Sequence, residues 1–81
     1  MLKLTLLTRA YCHLCDDMRD ALAPMASAAG TRVQEIDIDT TPALEAQWGD
    51  KVPVLLAGER ELSRYRLDVE AVARFLAEQA R

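Results

Sequence analysis

The order of apolar patterns in the first half of the chain limits its fold more than any other feature. Leu2 to Leu7 is a short apolar run bounded by polar residues, as in a strand buried on both faces. From Cys12 onward Leu14, Met18, Ala21, Leu22, Met25 and Ala29 recur at helical spacing, with Asp16, Asp17, Arg19 and Asp20 opposite. Arg32 to Ile38 alternates as a second strand with Ile36 and Ile38 on one face. Strand, helix and strand in this order require a right-handed crossover and two parallel strands. Asp16 and Asp17 suit the positive end of the helix, and Gly30 suits its C′ position. Pro24 interrupts the helical pattern and predicts a kink or break near Ala23.

The second half completes the architecture. Thr41-Pro42 is an N-cap and N1 pair opening a short helix through Trp48, which Gly49 ends. Pro53 to Ala57 reads as a third strand, and Gly58-Glu59 as a two-residue type II′ turn into a fourth around Arg60 to Ser63. Asp68 caps the last helix, Leu67 and Val72 hold the staple positions, and Val69, Val72, Phe75 and Leu76 form its apolar face. The expected fold is α/β, β-α-β-α-β-β-α, with a four-stranded mixed sheet carrying helices on both faces. With 81 residues this is one domain, residues 1–81, near the lower size limit for unaided folding.

The charge pattern narrows the function classes. A net charge of −3 with interspersed signs argues against nucleic-acid binding. No stretch approaches the roughly 20 apolar residues of a membrane span, and Met1-Leu2-Lys3-Leu4 lacks the regions of a signal peptide. The expected compartment is the cytoplasm, and the expected state is a monomer. A lone cysteine pair there is catalytic or metal-binding rather than structural.

That pair is Cys12-His13-Leu14-Cys15, at the junction of first strand and first helix. A disulfide across so short a loop stabilises a fold by only about 2 kcal/mol before strain is subtracted, so chemistry explains the spacing better. A thiol attacks a disulfide as thiolate. A helix N-terminus offers unpaired N–H groups and about half a positive charge to stabilise it. Cys12 falls at that end, His13 adjoins it and when protonated favours the thiolate further, and Cys15 follows one turn on. With Cys12 at a non-helical cap the two sulfurs can meet. Cys12 is then the exposed nucleophile and Cys15 the shielded resolving thiol. A closed zinc site needs four ligands, and the chain has no further cysteine or histidine. No metal site is expected within one chain, and metal or cluster binding requires a second protomer or an added thiol.

Thr8-Arg9-Ala10-Tyr11-Cys12-His13-Leu14-Cys15 after the first strand, Val52-Pro53 before the third and Asp68 at the last helix together resemble the thioredoxin superfamily in its smallest, glutaredoxin-like form. The Cys-His-Leu-Cys-Asp run with Val-Pro-Val-Leu downstream is most similar to short bacterial glutaredoxin-like proteins. The likeness covers essentially the whole chain. It implies a cis Val52–Pro53 bond beside the cysteines, with the main chain of Val52 turned to pair with substrate. It also implies that Arg9, where glutaredoxins commonly carry lysine, meets a glutathione carboxylate, and that Asp68 holds the amino end of glutathione in addition to its capping role. Lys51 stands where a threonine often precedes Val-Pro. Tyr11 either shields the sulfurs or packs on the helix start, and Trp48 is a packing anchor.

The family's usual Gly-Gly pair is absent, since this region reads Ser63-Arg64-Tyr65-Arg66-Leu67. Bulky side chains there narrow or remodel the glutathione pocket, and Arg64 and Arg66 are alternative attractors of its carboxylates. The expected activity is thiol–disulfide exchange with a disulfide-containing protein or a glutathione mixed disulfide. Glutathione is the possible co-substrate, and no cofactor is tightly bound. The alternative is a module keeping the fold but binding a metal, an iron–sulfur cluster or a protein partner with little oxidoreductase activity.

Overall fold

A computed structural model describes residues 3–79. Leu2, the expected first residue of the opening strand, lies outside them, as do the extreme ends of the expected domain. The elements are β1 (Lys3–Thr8), α1 (His13–Ala29), β2 (Arg32–Asp37), a 3-10 turn (Ile38–Thr40), α2 (Pro42–Trp48), β3 (Val54–Ala57), β4 (Arg60–Arg64) and α3 (Val69–Gln79). They form one sheet ordered β2-β1-β3-β4, parallel between β1 and β2 and antiparallel elsewhere. This is the mixed thioredoxin-like sheet expected from the sequence. No helix among the described residues is long and apolar enough to cross a membrane.

Two apolar clusters lie on the two faces of this sheet. On one, Leu4, Leu6 and Leu55 pack with Met18 and Leu22 of α1 and Val72 and Phe75 of α3. On the other, Leu7, Ile38 and Val54 are covered by Leu44, Trp48 and Ile36. Trp48 thus serves as the expected packing anchor of α2. Leu67 packs on the cluster containing Val72, as a hydrophobic staple requires.

Local signals account for most of the boundaries. Gly30, at φ +65°, ends α1 in a Schellman arrangement: its N–H reaches Ser27 O, and that of Thr31 reaches Ala26 O. Gly58 takes φ +63° while Glu59 keeps a negative φ, fitting the two-residue type II′ turn between Ala57 and Arg60. A bulge re-phases β4 against Leu55 and Leu56, and Ser63 beyond it is buried and accepts the N–H of Asp68 at 2.9 Å.

Two expectations need correction. Helix α1 runs unbroken through Pro24. The proline ring is exposed, whereas Met18, Leu22 and Ala26 are buried on the inner face. Burying Met or Leu contributes about 1.5–3 kcal/mol each, enough to offset the roughly 3 kcal/mol of an interior proline. Leu14 and Val69 do not enter the core; they are 39% and 56% exposed. They face a surface groove between α1 and the start of α3 instead of the sheet. Thr41 is the N-cap of α2 with Pro42 following it, as expected, and holds that place by its extended backbone without a side-chain capping bond.

Pro24→Ala is expected to raise stability by about 1–3 kcal/mol, by restoring one helical N–H and removing the ring's clash. The check is the denaturant midpoint. An unchanged or lower midpoint would mean that the proline is already compensated by restricting the unfolded chain.

Candidate redox site

Register brings the site together. Leu7 near the end of β1 pairs with Val54 at the start of β3, so the loop leading to Cys12 emerges beside Pro53. The Val52–Pro53 peptide is cis, as the family likeness implied, and Pro53 is buried. Val52 lies just before β3, outside the strand ladder, and packs against the Leu7–Ile38–Val54 cluster.

Cys12 is the N-cap of α1, with extended backbone at φ −111° and ψ 104°. Its Sγ accepts the N–H of Cys15 at 3.1 Å, and its carbonyl accepts that of Asp16 at 3.2 Å. A cysteine sulfur therefore fills the place that serine or aspartate oxygen takes at most helix starts. Cys12 and Cys15 are joined in a disulfide, with Cα atoms 5.2 Å apart. Cys15 is wholly buried, while Cys12 is half-buried at the surface. His13, the first helical residue, is exposed beside it.

Residues 3–77 match the family described as "Glutaredoxin-like domain (DUF836)". The chain belongs to this glutaredoxin-like family. It is 38% identical over 68 residues to the uncharacterized protein Rv0508 of Mycobacterium tuberculosis, an alignment covering 78% of this chain and 70% of that one. The solution structure of protein Ne2328 from Nitrosomonas europaea superposes with a TM-score of 0.81 at 32% identity, covering 91% of this chain and 89% of the other. NrdH-redoxin of Escherichia coli, a glutaredoxin-like protein described as having a thioredoxin-like activity profile, superposes with a TM-score of 0.60 at 29% identity, covering 89% and 92%.

In this glutaredoxin-like chain the charged residues around the cysteines are largely engaged with one another. Arg9 forms an ion pair with Asp39 at 2.7 Å and donates to Gly49 O, also at 2.7 Å. Its guanidinium clasps the cysteine loop to the 3-10 turn and the end of α2, and the expected meeting with a glutathione carboxylate would have to compete with that clasp. Arg64 is held by both carboxylate oxygens of Glu61, and Lys51 reaches Asp50 and Gln47 O. Asp68 caps α3, accepting the N–H of Ala71 at 3.0 Å. Tyr11 is fully exposed at φ +58°. It neither shields the sulfurs nor packs on the helix start, because its left-handed backbone carries the ring outward.

Tyr65 is a site feature that sequence reading did not single out. It stands in the glycine-free corner at φ +67°, with the N–H of Arg66 bonded to Arg64 O around it in a γ-turn. Such a conformation costs a tyrosine about 1–3 kcal/mol. Two tertiary bonds hold it: its N–H to Pro53 O at 2.8 Å and its hydroxyl to Asp50 O at 3.0 Å. The remodelled corner is thereby tied to the segment carrying the cis proline.

On the other side of the cysteine loop, Arg19 of α1 joins Asp16 to Glu35 of β2, and the hydroxyl of buried Thr8 donates weakly to Glu35. Hydrogen bonding from Arg19 holds the Glu35 carboxyl below the ordinary glutamate range, against the opposing effect of partial burial. The folded protein therefore favours the ionised form. The stabilisation is complete above the ordinary glutamate pKa and is lost as pH falls through the lowered value. Glu35→Gln is expected to cost about 0.2–1 kcal/mol at neutral pH, as for other partly exposed pairs. It should also flatten the acid-side decline in Tm; an identical decline in both proteins would remove Glu35 as a source of acid sensitivity.

Proposed function

We propose that this protein is a small dithiol–disulfide oxidoreductase, working as a monomer in the cytoplasm. One observation carries the reading. The two cysteines straddle the start of α1, with Cys12 half-exposed at the cap and Cys15 enclosed behind it within bonding distance. The redox character of the glutaredoxin-like fold, and the thioredoxin-like activity described for NrdH-redoxin, are consistent with it.

In the reduced protein the Cys12 thiolate is stabilised by the Cys15 N–H and by the positive end of α1. It attacks one sulfur of a substrate disulfide; the Cys12–substrate bond forms as the substrate S–S bond breaks, and the other substrate sulfur leaves as thiolate. Cys15 gives its proton to water and its thiolate attacks Cys12 Sγ, closing the Cys12–Cys15 bond and expelling the second substrate thiolate. Two electrons have then passed to the substrate, and the product is the disulfide state described above. Two equivalents of glutathione, or one dithiol reductase, restore the dithiol by the reverse exchange. His13 beside Cys12 would favour the thiolate when protonated, and the main chain of Val52 ahead of Pro53 would align the substrate.

This division of labour predicts distinct variants. Cys12→Ser should reduce turnover of any disulfide substrate to the uncatalysed background. Cys15→Ser should retain the first attack and accumulate a covalent mixed disulfide on Cys12, visible by intact mass and released by dithiothreitol. Wild-type turnover no faster than Cys12→Ser, or an adduct on Cys15 in the wild type, would overturn the assignment.

A further inference from the structure

The chain between α2 and β3 has few main-chain bonds of its own. From Asp50 to Pro53 it makes one bond back to α2, from the Lys51 N–H to Trp48 O at 2.8 Å. Its other main-chain attachments both run to Tyr65. The Tyr65 hydroxyl donates to Asp50 O at 3.0 Å, and the Tyr65 N–H donates to Pro53 O at 2.8 Å. One residue thus fixes both ends of this stretch. Between those ends, the N–H and C=O of Val52 make no hydrogen bond among the described residues. A residue before proline is restricted to the extended region, and an extended N–H and C=O without partners are what an incoming peptide chain needs to pair as a strand.

The choice of side chain at position 65 needs a reason. Glycine adopts φ near +67° freely and would keep the N–H bond to Pro53 O. Tyrosine adopts this conformation only at a cost. What it adds over glycine is a rigid ring carrying a donor that reaches Asp50. That bond lies at the surface, with Tyr65 44% exposed, so its net contribution to stability is small. Its effect is to fix where the Asp50 carbonyl stands, and with it the two residues that follow. A costly backbone held for geometry points to function.

We propose that Tyr65 is a positioning residue for sulfur exchange. Acting through Asp50 and Pro53, it holds the free main-chain groups of Val52 where the amide groups flanking a substrate disulfide pair with them. The inference rests on the oxidoreductase reading above and adds the residue that sets the alignment of its substrate. Tyr65 itself exchanges no electrons or protons with the sulfurs.

The test is single-turnover oxidation of the reduced full chain by an excess of either of two disulfides, with acid quenching and thiol counting. One is a peptide disulfide, which has amide groups on both sides of the reacting sulfur. The other is bis(2-hydroxyethyl) disulfide, which has none. Tyr65→Phe removes only the hydroxyl. It should lower the rate constant for the peptide disulfide by about three- to tenfold, the worth of one hydrogen bond, and leave that for bis(2-hydroxyethyl) disulfide unchanged. Tyr65→Gly keeps the main-chain bond to Pro53 O and carries no backbone cost, yet should lose the same preference for the peptide. Tyr11→Phe, on a fully exposed ring, should retain the wild-type preference. Because the preference is a ratio within each protein, a loss of active protein does not imitate the effect. A ratio in Tyr65→Phe equal to that of the wild type, including an equal fall on both substrates, overturns the role of Tyr65 and leaves the dithiol mechanism standing. Retention of the ratio by Tyr65→Gly overturns the part assigned to the hydroxyl. A wild type that reacts with neither disulfide faster than Cys12→Ser overturns the oxidoreductase reading as well.

Discussion

Strand β1 is enclosed on both faces: Leu4 and Leu6 pack with α1 and α3, and Leu7 packs with Ile38 and Val54 beneath α2. Each of these leucines contributes about 1.5–3 kcal/mol by leaving water, and together they fix the strand in its plane and register. The site follows from that placement. Pairing with β2 sets the parallel crossover and hence the direction of α1, while pairing of Leu7 with Val54 sets the start of β3 beside the loop that ends at Cys12. The cysteine loop and the cis proline are far apart in sequence, and the pairing of β1 with β3 brings them to the same end of the sheet.

Polar ties then hold the loops against that frame. Arg9 joins the cysteine loop to Asp39 and Gly49, Arg19 joins α1 to β2 through Glu35, and Tyr65 joins the β4–α3 corner to Asp50 and Pro53. Each is a partly exposed interaction worth little alone. Their value is positional, since each joins two segments that are distant in sequence. The same ties neutralise cations that would otherwise have been available to an anionic ligand.

The features legible in the sequence were those whose cause is local. Gly30 and Gly58 mark backbone turns, Asp68 and Leu67 mark the start of α3, and the Cys12–Cys15 spacing marks a helix start where two sulfurs can meet. Ile36 and Ile38 were assigned to one face and both pack on the cluster beneath α2. What escaped was non-local. Arg9 meets Gly49 across 40 positions, and Tyr65 meets Asp50 across 15; no spacing rule announces either pair. Leu14 and Val69 fall by spacing on the apolar faces of their helices, yet they stay exposed, because periodicity identifies an apolar face without saying whether a neighbour covers it. The unbroken helix at Pro24 has the same origin: the proline's local cost is visible in the sequence, and the burial of Leu22 and Ala26 that offsets it is not.

The bonds of Tyr65 make the two sides of the groove mechanically unequal. The side built from the γ-turn is latched to the proline segment through main chain and phenol, and to α3 through Ser63 and Asp68. The facing side presents Leu14 and Asp17, exposed side chains that make no hydrogen bond to another element among the described residues. One side is fastened by hydrogen bonds and the other by apolar packing alone, so a substitution at Leu14 reshapes the groove without touching the bonds that hold the proline segment.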